Sequence, residues 1–262
     1  MNLDLTGKYA IVCGSTQGLG FASAVELALL GAHITLVARN EEKLIEAVKK
    51  LDISRQQKHS YLVADFLFPD QVKNAIETHL SKNPVVHILV NNTGGPKGEA
   101  IIEASTNEFL EAFNSHLICN HILVQAVVPS MKTAGYGRII NIISTSVKQP
   151  LPGLGVSNTI RGAVASWAKT LAGELGEYGI TVNNVLPGYT KTSRYDYVLQ
   201  NKANATGKSA AEIEEGFVAD IPLKRIGKAE DFGAAVAFLS SPAAGYISGI
   251  NVPVDGGRLS TL

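Results

Sequence analysis

Short apolar runs alternate with stretches of helical period along most of the chain. The apolar runs are continuous and rich in β-branched residues, which is typical of strands covered on both faces; they are residues 9–12, 34–37, 61–63, 86–90, 139–143, 180–186 and 250–254. The stretches of helical period are residues 22–30, 41–51, 70–80, 106–131, 161–178 and 229–239. This alternation predicts an α/β Rossmann fold, a doubly wound parallel sheet of seven strands with helices on both faces.

One segment interrupts the alternation. Residues 190–219 are polar and rich in Ala, Lys and Glu, and they lie where the next strand would be due. We expect this segment to be a lid inserted into the fold. Because the chain contains no linker-like tract and no repeat of fixed period, residues 1–262 are predicted to form a single domain.

Charge and composition narrow the class of protein. Lys plus Arg and Asp plus Glu number 23 each, so the sequence lacks the excess of positive charge that favours nucleic acid or an anionic membrane surface. No apolar run is long enough to span a bilayer, and the first residues do not resemble a secretory leader. The two cysteines, Cys13 and Cys119, do not indicate a disulfide scaffold. We therefore expect a cytoplasmic protein with no nucleic-acid or membrane partner.

A glycine-rich turn follows the first predicted strand. Gly14, Gly18 and Gly20 have the spacing of a dinucleotide-binding turn, with Ser15, Gln17 and Leu19 between them. Glycine lets the chain turn sharply and lets a pyrophosphate come close to the backbone, while the following helix offers free N–H groups. An ordinary glycine-rich turn is the alternative, but a strand before it and a helix after it favour dinucleotide binding.

The end of the second strand distinguishes the two nicotinamide cofactors. An acidic residue there would bind the ribose 2′-hydroxyl of NAD, but the sequence Val37-Ala38-Arg39-Asn40 has no acid. Arg39 can hold a 2′-phosphate with its planar guanidinium, although a solvated surface arginine is the alternative. NADP is therefore predicted in preference to NAD.

Further motifs carry a resemblance to a known family. They are Asp65 after the third strand, Asn91-Asn92-Thr93-Gly94 after the fourth, residues 137–144, Asn183 to Gly188, and Ile221 to Gly257. Together with the glycine spacing they resemble the short-chain dehydrogenase/reductase family, and within it the bacterial 3-oxoacyl-acyl-carrier-protein reductases. The resemblance implies hydride transfer between nicotinamide and a carbonyl or alcohol carbon, and a homotetramer assembled through residues 106–131 and 161–178. The cofactor contacts that it implies, beyond the glycine turn and Arg39, are Asp65, Phe66, Asn92, Thr93, Gly94, Arg161, Pro187, Gly188 and Thr190.

The sequence departs from this family at its catalytic residues. The family uses a Tyr-x-x-x-Lys pair, yet none of the eight tyrosines here has lysine four positions later. Ser144 corresponds to the family's catalytic serine. Counting forward from Ser144 places Ser157 at the tyrosine position, and aligning the downstream helix pattern places Arg161 at the lysine position. His116 stands where the family has an asparagine. Ser144, Ser157, Arg161 and His116 are therefore the candidate catalytic residues.

These replacements change the chemistry. A serine hydroxyl is a far weaker acid than a phenol, so Ser157 cannot take over the role of tyrosine unchanged. Arg161 can still bind the nicotinamide ribose and favour a nearby alkoxide. His116 could relay a proton, or it could be a structural helix histidine. Lys148 and Tyr189 are weaker candidates, for which a solvated loop and simple packing are the alternatives.

No metal site is predicted. His116, Cys119 and His121 are close in sequence, but positions 116 and 119 share a helix face that position 121 does not, and no further ligand completes a set. The residues favour an NADP-dependent oxidoreductase that interconverts a carbonyl and an alcohol on a small or acyl-carrier-bound substrate. A non-catalytic NADP-binding sensor or partner subunit is the alternative, because the tyrosine and lysine are missing.

Overall fold

A computed structural model describes residues 1–261, and its seven strands form one parallel sheet. The spatial order of the strands is β3-β2-β1-β4-β5-β6-β7. Their bounds are β1 Tyr9–Cys13, β2 His33–Ala38, β3 Ser60–Val63, β4 Ile88–Asn91, β5 Gly137–Ile142, β6 Ile180–Pro187 and β7 Asn251–Val254. The predicted doubly wound parallel sheet is confirmed, and each strand begins and ends within two residues of its predicted bounds.

Helices cover both faces of this sheet. They are α1 Gly18–Leu29, α2 Glu41–Val48, α3 Pro69–Lys82, α4 Thr106–Phe113, α5 Cys119–Ala134, α6 Gly155–Leu175, α7 Ser193–Thr206, α8 Ala210–Ala219 and α9 Ala229–Ser240. Helices α1, α2 and α9 share one apolar core with the sheet, and α3, α5 and α6 share the other. Alternate residues of β1 belong to different cores, which explains why its sequence is apolar throughout.

The helix predicted over residues 106–131 is divided in the structure. A π-helical turn, Asn114–Ile118, separates α4 from α5 and contains His116. Such a turn inserts one residue into the helical repeat and changes which side chains face the sheet. Within residues 1–261, none of the helices combines the length and apolar character needed to cross a membrane.

The order of the strands fixes the position of a crevice. The chain builds β1, β2 and β3 in one direction and then returns to place β4 on the other side of β1. The loops after β1 and β4 therefore leave the sheet in opposite directions and open a crevice at its carboxyl edge. Most of the candidate site residues lie in loops that follow the strands, and the others lie in α1, α6, the π-helical turn and the last residue of β6.

Four asparagines form a ladder across the second half of the sheet. Asn91, Asn141, Asn184 and Asn251 lie opposite one another in register on β4, β5, β6 and β7. The amide nitrogen of each donates to the amide oxygen of the next, at 2.8, 3.0 and 2.8 Å. Strands β4 to β7 are thus joined by side chains as well as by backbone.

Histidines hold the opposite, amino edge of the sheet. Nδ1 of His87 accepts the Tyr9 backbone N–H at 3.1 Å, and Nδ1 of His59 accepts that of Ile34 at 3.1 Å. A ring nitrogen can accept a hydrogen bond in this way only when the imidazole is neutral. Burial, assisted by the charge of Lys8, lowers the pKa of His87 to about 4.

The segment predicted as a lid folds into two helices. α7 and α8 lie within residues 190–219 and enclose a small apolar cluster formed by Tyr195, Ala203, Ile213 and Phe217. Both helices have side-chain caps, since Thr192 accepts the Tyr195 N–H and Ser209 accepts that of Glu212. The segment is therefore ordered and carries its own core.

Candidate active site

The glycine loop, residues 14–20, connects β1 to α1. Gly14 and Gly18 have φ of +56° and +61°, values that side chains disfavour. A Cβ on Gly20 would lie 2.3 Å from the carbonyl oxygen of Gly14. Gln17 precedes α1 without making a side-chain cap, so the first N–H groups of the helix are not occupied by a side chain of this residue. This arrangement suits an anion at the helix N-terminus.

Two side chains of the glycine loop point inward. The Ser15 hydroxyl is buried and accepts the Val37 N–H at 3.0 Å, which ties the loop to the end of β2. Leu19 packs against the apolar core below α1. The backbone of the loop, together with the side chains of Thr16 and Gln17, is what remains to face a ligand.

Arg39 follows β2 at the same edge. Its side chain is exposed, and among residues 1–261 it forms no ion pair. The next residue, Asn40, caps α2 by accepting the Lys43 N–H at 2.8 Å. The guanidinium is therefore available to a ligand, as a 2′-phosphate site requires.

The loops after β3 and β4 complete this half of the crevice. Nδ2 of Asn92 donates to the carbonyl oxygens of Cys13 and Gly14, at 3.3 and 3.1 Å, so Asn92 holds the β4 loop against the glycine loop. Thr93 is half-buried and Gly94 is exposed. Asp65 accepts the Leu67 N–H at 3.0 Å, and Phe66 is buried beside Cys119.

The β6 loop lies on the far side of the crevice. Pro187 ends β6, and the Gly188 N–H donates to Val254 at 3.0 Å. A Cβ on Gly188 would meet Asp255 Cα at 2.6 Å, so the two chain segments pass each other only because residue 188 is glycine. Thr190 is buried, and its hydroxyl donates to the carbonyl of Gly188 at 3.3 Å.

The structure brings Ser157 and Arg161 together and ties them to β5. Nε of Arg161 donates to the Ser157 hydroxyl at 3.3 Å, and its Nη1 donates to the carbonyl of Ile142 at 3.1 Å. Ser144 lies two residues after Ile142, and its hydroxyl accepts the Ser146 N–H at 3.0 Å. Each serine oxygen thus accepts one hydrogen bond and keeps its own O–H to donate.

Arg161 is a buried cation. Only 8% of its surface is exposed, and burial, followed by the nearby charge of Arg194, lowers its pKa to about 10. It therefore stays protonated at neutral pH. A buried guanidinium needs several hydrogen-bond acceptors, and two are supplied here by Ser157 and Ile142.

His116 lies in the π-helical turn and is 5% exposed. Burial, followed by the charge of Arg161, holds its pKa well below the ordinary value, while a hydrogen bond to the Gly94 carbonyl acts in the opposite direction. The imidazole is therefore neutral at physiological pH. It fixes the β4 loop to α5 and lies close to Arg161.

Residues 190–219 reach across the crevice. Gln17 Nε2 donates to the Ser193 hydroxyl at 3.1 Å, and Arg194 Nη2 donates to the Pro96 carbonyl at 3.0 Å. The start of α7 therefore contacts both the glycine loop and the β4 loop.

Known proteins share this arrangement. A family model described as enoyl-(acyl carrier protein) reductase matches residues 14–258. The 3-oxoacyl-[acyl-carrier-protein] reductase of Rickettsia felis is 33% identical over 257 residues, which cover 98% of this chain and 99% of the relative. The chain belongs to the short-chain dehydrogenase/reductase family.

Other members of the short-chain dehydrogenase/reductase family have different names. The NADPH-dependent reductase BacG of Bacillus subtilis is 28% identical over 263 residues, covering 98% of this chain and all of the relative. The structure of L-sorbose reductase from Gluconobacter frateurii, complexed with NADPH and L-sorbose, superposes with a TM-score of 0.93 at 31% identity, and each chain is fully covered. Likeness within the family therefore extends to enzymes named for quite different substrates.

Tyr189, Lys148 and His121 are the weaker candidates in this short-chain dehydrogenase/reductase. Tyr189 stacks on Phe217 with ring centroids 4.1 Å apart, so its ring packs in the cluster of the 190–219 segment. Lys148 is exposed in the loop after β5. His121 is exposed and contacts Trp167 edge-on, and no group of three or more metal-ligating side chains was found among residues 1–261.

Sequence reasoning missed the contribution of α7. Ser193 contacts the glycine loop and Arg194 contacts the backbone of the β4 loop at Pro96, yet no motif spacing marks these residues. The capping pattern Ser209-x-x-Glu212 could have shown that the segment contains a helix. It could not have shown where that segment folds back.

Proposed function

We propose that this chain is an NADPH-dependent oxidoreductase that converts a carbonyl into an alcohol, with Ser144, Ser157 and Arg161 acting on the carbonyl oxygen. The substrate is a small molecule or an acyl group on a carrier. The observation that carries the proposal is the hydrogen-bonded Arg161–Ser157 pair, in which the buried Arg161 is also held to the end of β5, two residues before Ser144.

The residues at the carboxyl edge fit an NADP molecule. The glycine loop and the uncapped start of α1 would hold the pyrophosphate, and the free guanidinium of Arg39 would hold the 2′-phosphate. Asp65, Phe66, Asn92, Thr93 and Gly94 would line the adenosine side, and Pro187, Gly188, Thr190 and Arg161 the nicotinamide side. When bound, the reduced cofactor supplies a hydride to the carbonyl carbon.

The chain's own residues manage the charge that develops on oxygen. Ser144 and Ser157 have free O–H groups, and the adjacent Arg161 carries a positive charge, so together they would stabilise an alkoxide. The oxygen then takes a proton from solvent by way of Ser157. In sum, the carbonyl compound gains a hydride and a proton while NADPH becomes NADP⁺.

His116 has a supporting role in this proposal. Because its imidazole is buried and neutral, it holds the β4 loop through Gly94 and does not supply the proton. We also propose that residues 190–219 close over the bound substrate and that the chain works as a cytoplasmic homotetramer.

A non-catalytic cofactor-binding protein is the second candidate. It is favoured by the lack, in the sequence, of any tyrosine followed four residues later by lysine. Serine hydroxyls are poor acids. In this second candidate, the serine pair is too weak an acid for turnover even beside the charge of Arg161.

The test is an NADPH-oxidation assay with a panel of carbonyl compounds and one enoyl thioester, alongside calorimetry of NADPH binding. We expect reduction of at least one carbonyl, and Ser144→Ala should lower kcat by about a hundredfold or more while NADPH affinity is kept. The matched control is Ser166→Ala, an exposed serine on α6, which should leave both unchanged.

Two results would contradict the proposal. NADPH binding without turnover of any compound would favour the non-catalytic alternative. Turnover that survives Ser144→Ala would show that the chemistry occurs elsewhere.

Ser157→Tyr combined with Arg161→Lys restores the family's pair and should raise the rate if the position has been identified correctly.

A further inference from the structure

Two arginines approach each other at the reacting end of the crevice. Arg161 reaches it from α6 and Arg194 from α7, and a Cβ on Gly95 would lie 3.5 Å from Nη2 of Arg161 and 3.9 Å from Nη2 of Arg194. The two guanidiniums therefore flank the same short piece of backbone, one buried and one exposed.

Neither guanidinium is neutralised by an acid. Two lysines that are close in sequence to Gly95 and Arg194 are neutralised by acids. Lys97 pairs with Glu99 and Glu108 at 3.2 and 2.8 Å, and Lys191 pairs with Glu214. Within residues 1–261, no carboxylate lies within ion-pair distance of Arg161 or Arg194. Two like charges are thus held together, which costs free energy unless an anion lies between them.

The other hydrogen bonds of these arginines leave donors free. Arg161 uses Nε and Nη1, and its Nη2 makes no hydrogen bond within the described chain. Arg194 uses one bond to Pro96 and lies over the Tyr197 ring at 5.3 Å. The remaining N–H groups can hold an anion, and planar guanidiniums suit a carboxylate.

The cofactor has its own anion sites elsewhere. Its pyrophosphate would lie at the glycine loop and its 2′-phosphate at Arg39, whereas Arg161 is fixed to Ile142 beside Ser144 and Ser157. An anion between Arg161 and Arg194 would therefore belong to the molecule whose carbonyl is reduced.

We propose that Arg161 and Arg194 form a carboxylate clamp, so that the substrate class of this site is keto acids and their hydroxy-acid products. The inference rests on the proposed function, because it assigns the substrate of the same site. Arg194 determines specificity, while Arg161 also contacts the reacting oxygen.

The test measures binding and needs no turnover. The protein is loaded with NADP⁺ and titrated by calorimetry with pyruvate, acetoacetate and 4-oxopentanoate, and with the methyl ester of each. These acids differ in the number of carbons between carbonyl and carboxylate. We expect at least one acid to bind about tenfold or more tightly than its ester, the equivalent of about 1.4 kcal/mol.

Variants assign the preference to the clamp. Arg194→Met should remove the preference for the acid and leave ester binding unchanged. Lys202→Met removes an equal charge from the same helix, where the ammonium lies over the Phe217 ring, and should retain the preference.

Three outcomes would overturn the clamp: equal binding of acids and esters, no binding of any acid, or an Arg194→Met variant that weakens NADP⁺ and not the acid. Failure of NADP⁺ itself to bind would instead refute the proposed function. The panel is therefore also titrated without cofactor, where a preference for acids lost in Arg194→Met would support the clamp by itself.

Discussion

The two halves of the crevice recognise their ligands by different means. At the glycine loop, recognition depends mainly on the backbone. Two glycines have positive φ, the start of α1 has no side-chain cap, and the backbone at Gly20 passes close to the carbonyl oxygen of Gly14. At the β5–α6 end, the groups that matter are side chains, namely Ser144, Ser157 and Arg161. Side-chain identity can change at the second end while the backbone path persists, so one fold can keep its cofactor site and alter its chemistry.

The largest effect is expected from a methyl group in the glycine loop. In Gly20→Ala, the new Cβ would be forced to within 2.3 Å of the Gly14 oxygen and 2.9 Å of the Cys13 oxygen, both backbone atoms that cannot move aside. We expect NADPH affinity, measured by calorimetry, to fall by about a hundredfold or more.

A glycine that meets no neighbour provides the control. Gly173 is exposed on α6, and a Cβ there would have nothing within 4 Å, so Gly173→Ala should keep NADPH affinity and raise stability by about 0.5–1 kcal/mol. If Gly20→Ala binds NADPH as tightly as the unchanged protein, the backbone crossing is not what makes this half of the site.

An intermediate effect is expected at Arg39, the cationic side chain of the cofactor half. A charge-assisted hydrogen bond contributes about 1.5–3 kcal/mol, so Arg39→Ala should weaken NADPH binding about 10- to 100-fold and leave NADH binding unchanged. Lys58→Ala, which removes another exposed charge but at the amino edge of the sheet, just before β3, should alter neither. Equal losses for both cofactors would show that Arg39 acts on the loop and not on a phosphate.

The smallest effect concerns pH and lies outside both halves. His87 has a pKa of about 4 in the folded chain and 6.5 as a free group, so stability is fully present above pH 6.5 and is lost as pH falls towards 4. We expect the free energy of unfolding to fall by about 2 kcal/mol over this range, because the buried ring gains a charge beside Lys8 and ceases to accept the Tyr9 N–H.

Denaturant titrations at several pH values measure this loss. Burial holds the pKa of His116 well below its ordinary value, and Arg161, with a pKa of about 10, stays protonated, so we expect acid inactivation to follow unfolding. His87→Gln should flatten the dependence of stability on pH. An acid loss of activity in a fully folded protein would show that a group of the catalytic half titrates there.

These two halves also differ in how far sequence could predict them. The strands followed from apolar runs because both sheet faces are buried, and the glycine loop followed because spacing alone identifies a backbone turn between a strand and a helix. The π-helical turn at Asn114–Ile118 was not predicted, since one extra residue in a helix leaves no mark in the apolar pattern. Yet that turn determines that His116 is buried.

Side-chain proximity across the fold was the harder part. The hydrogen bond from Arg161 to Ser157 is local, four residues along α6, and could be anticipated once both positions were identified. The approach of Arg194 depends on how the 190–219 segment folds back over Gly95, a contact between residues 99 positions apart. No local pattern encodes such a distance.

The asparagine ladder has a direction as well as a register. Asn91, Asn141 and Asn184 each donate towards β7, so the dipoles of these amides point the same way and polarise one another. The ladder ends at Oδ1 of Asn91, a buried oxygen that accepts no hydrogen bond within the described chain. The dipoles of these uncharged side chains thus add along the ladder as peptide dipoles add along a helix, with the negative end at β4.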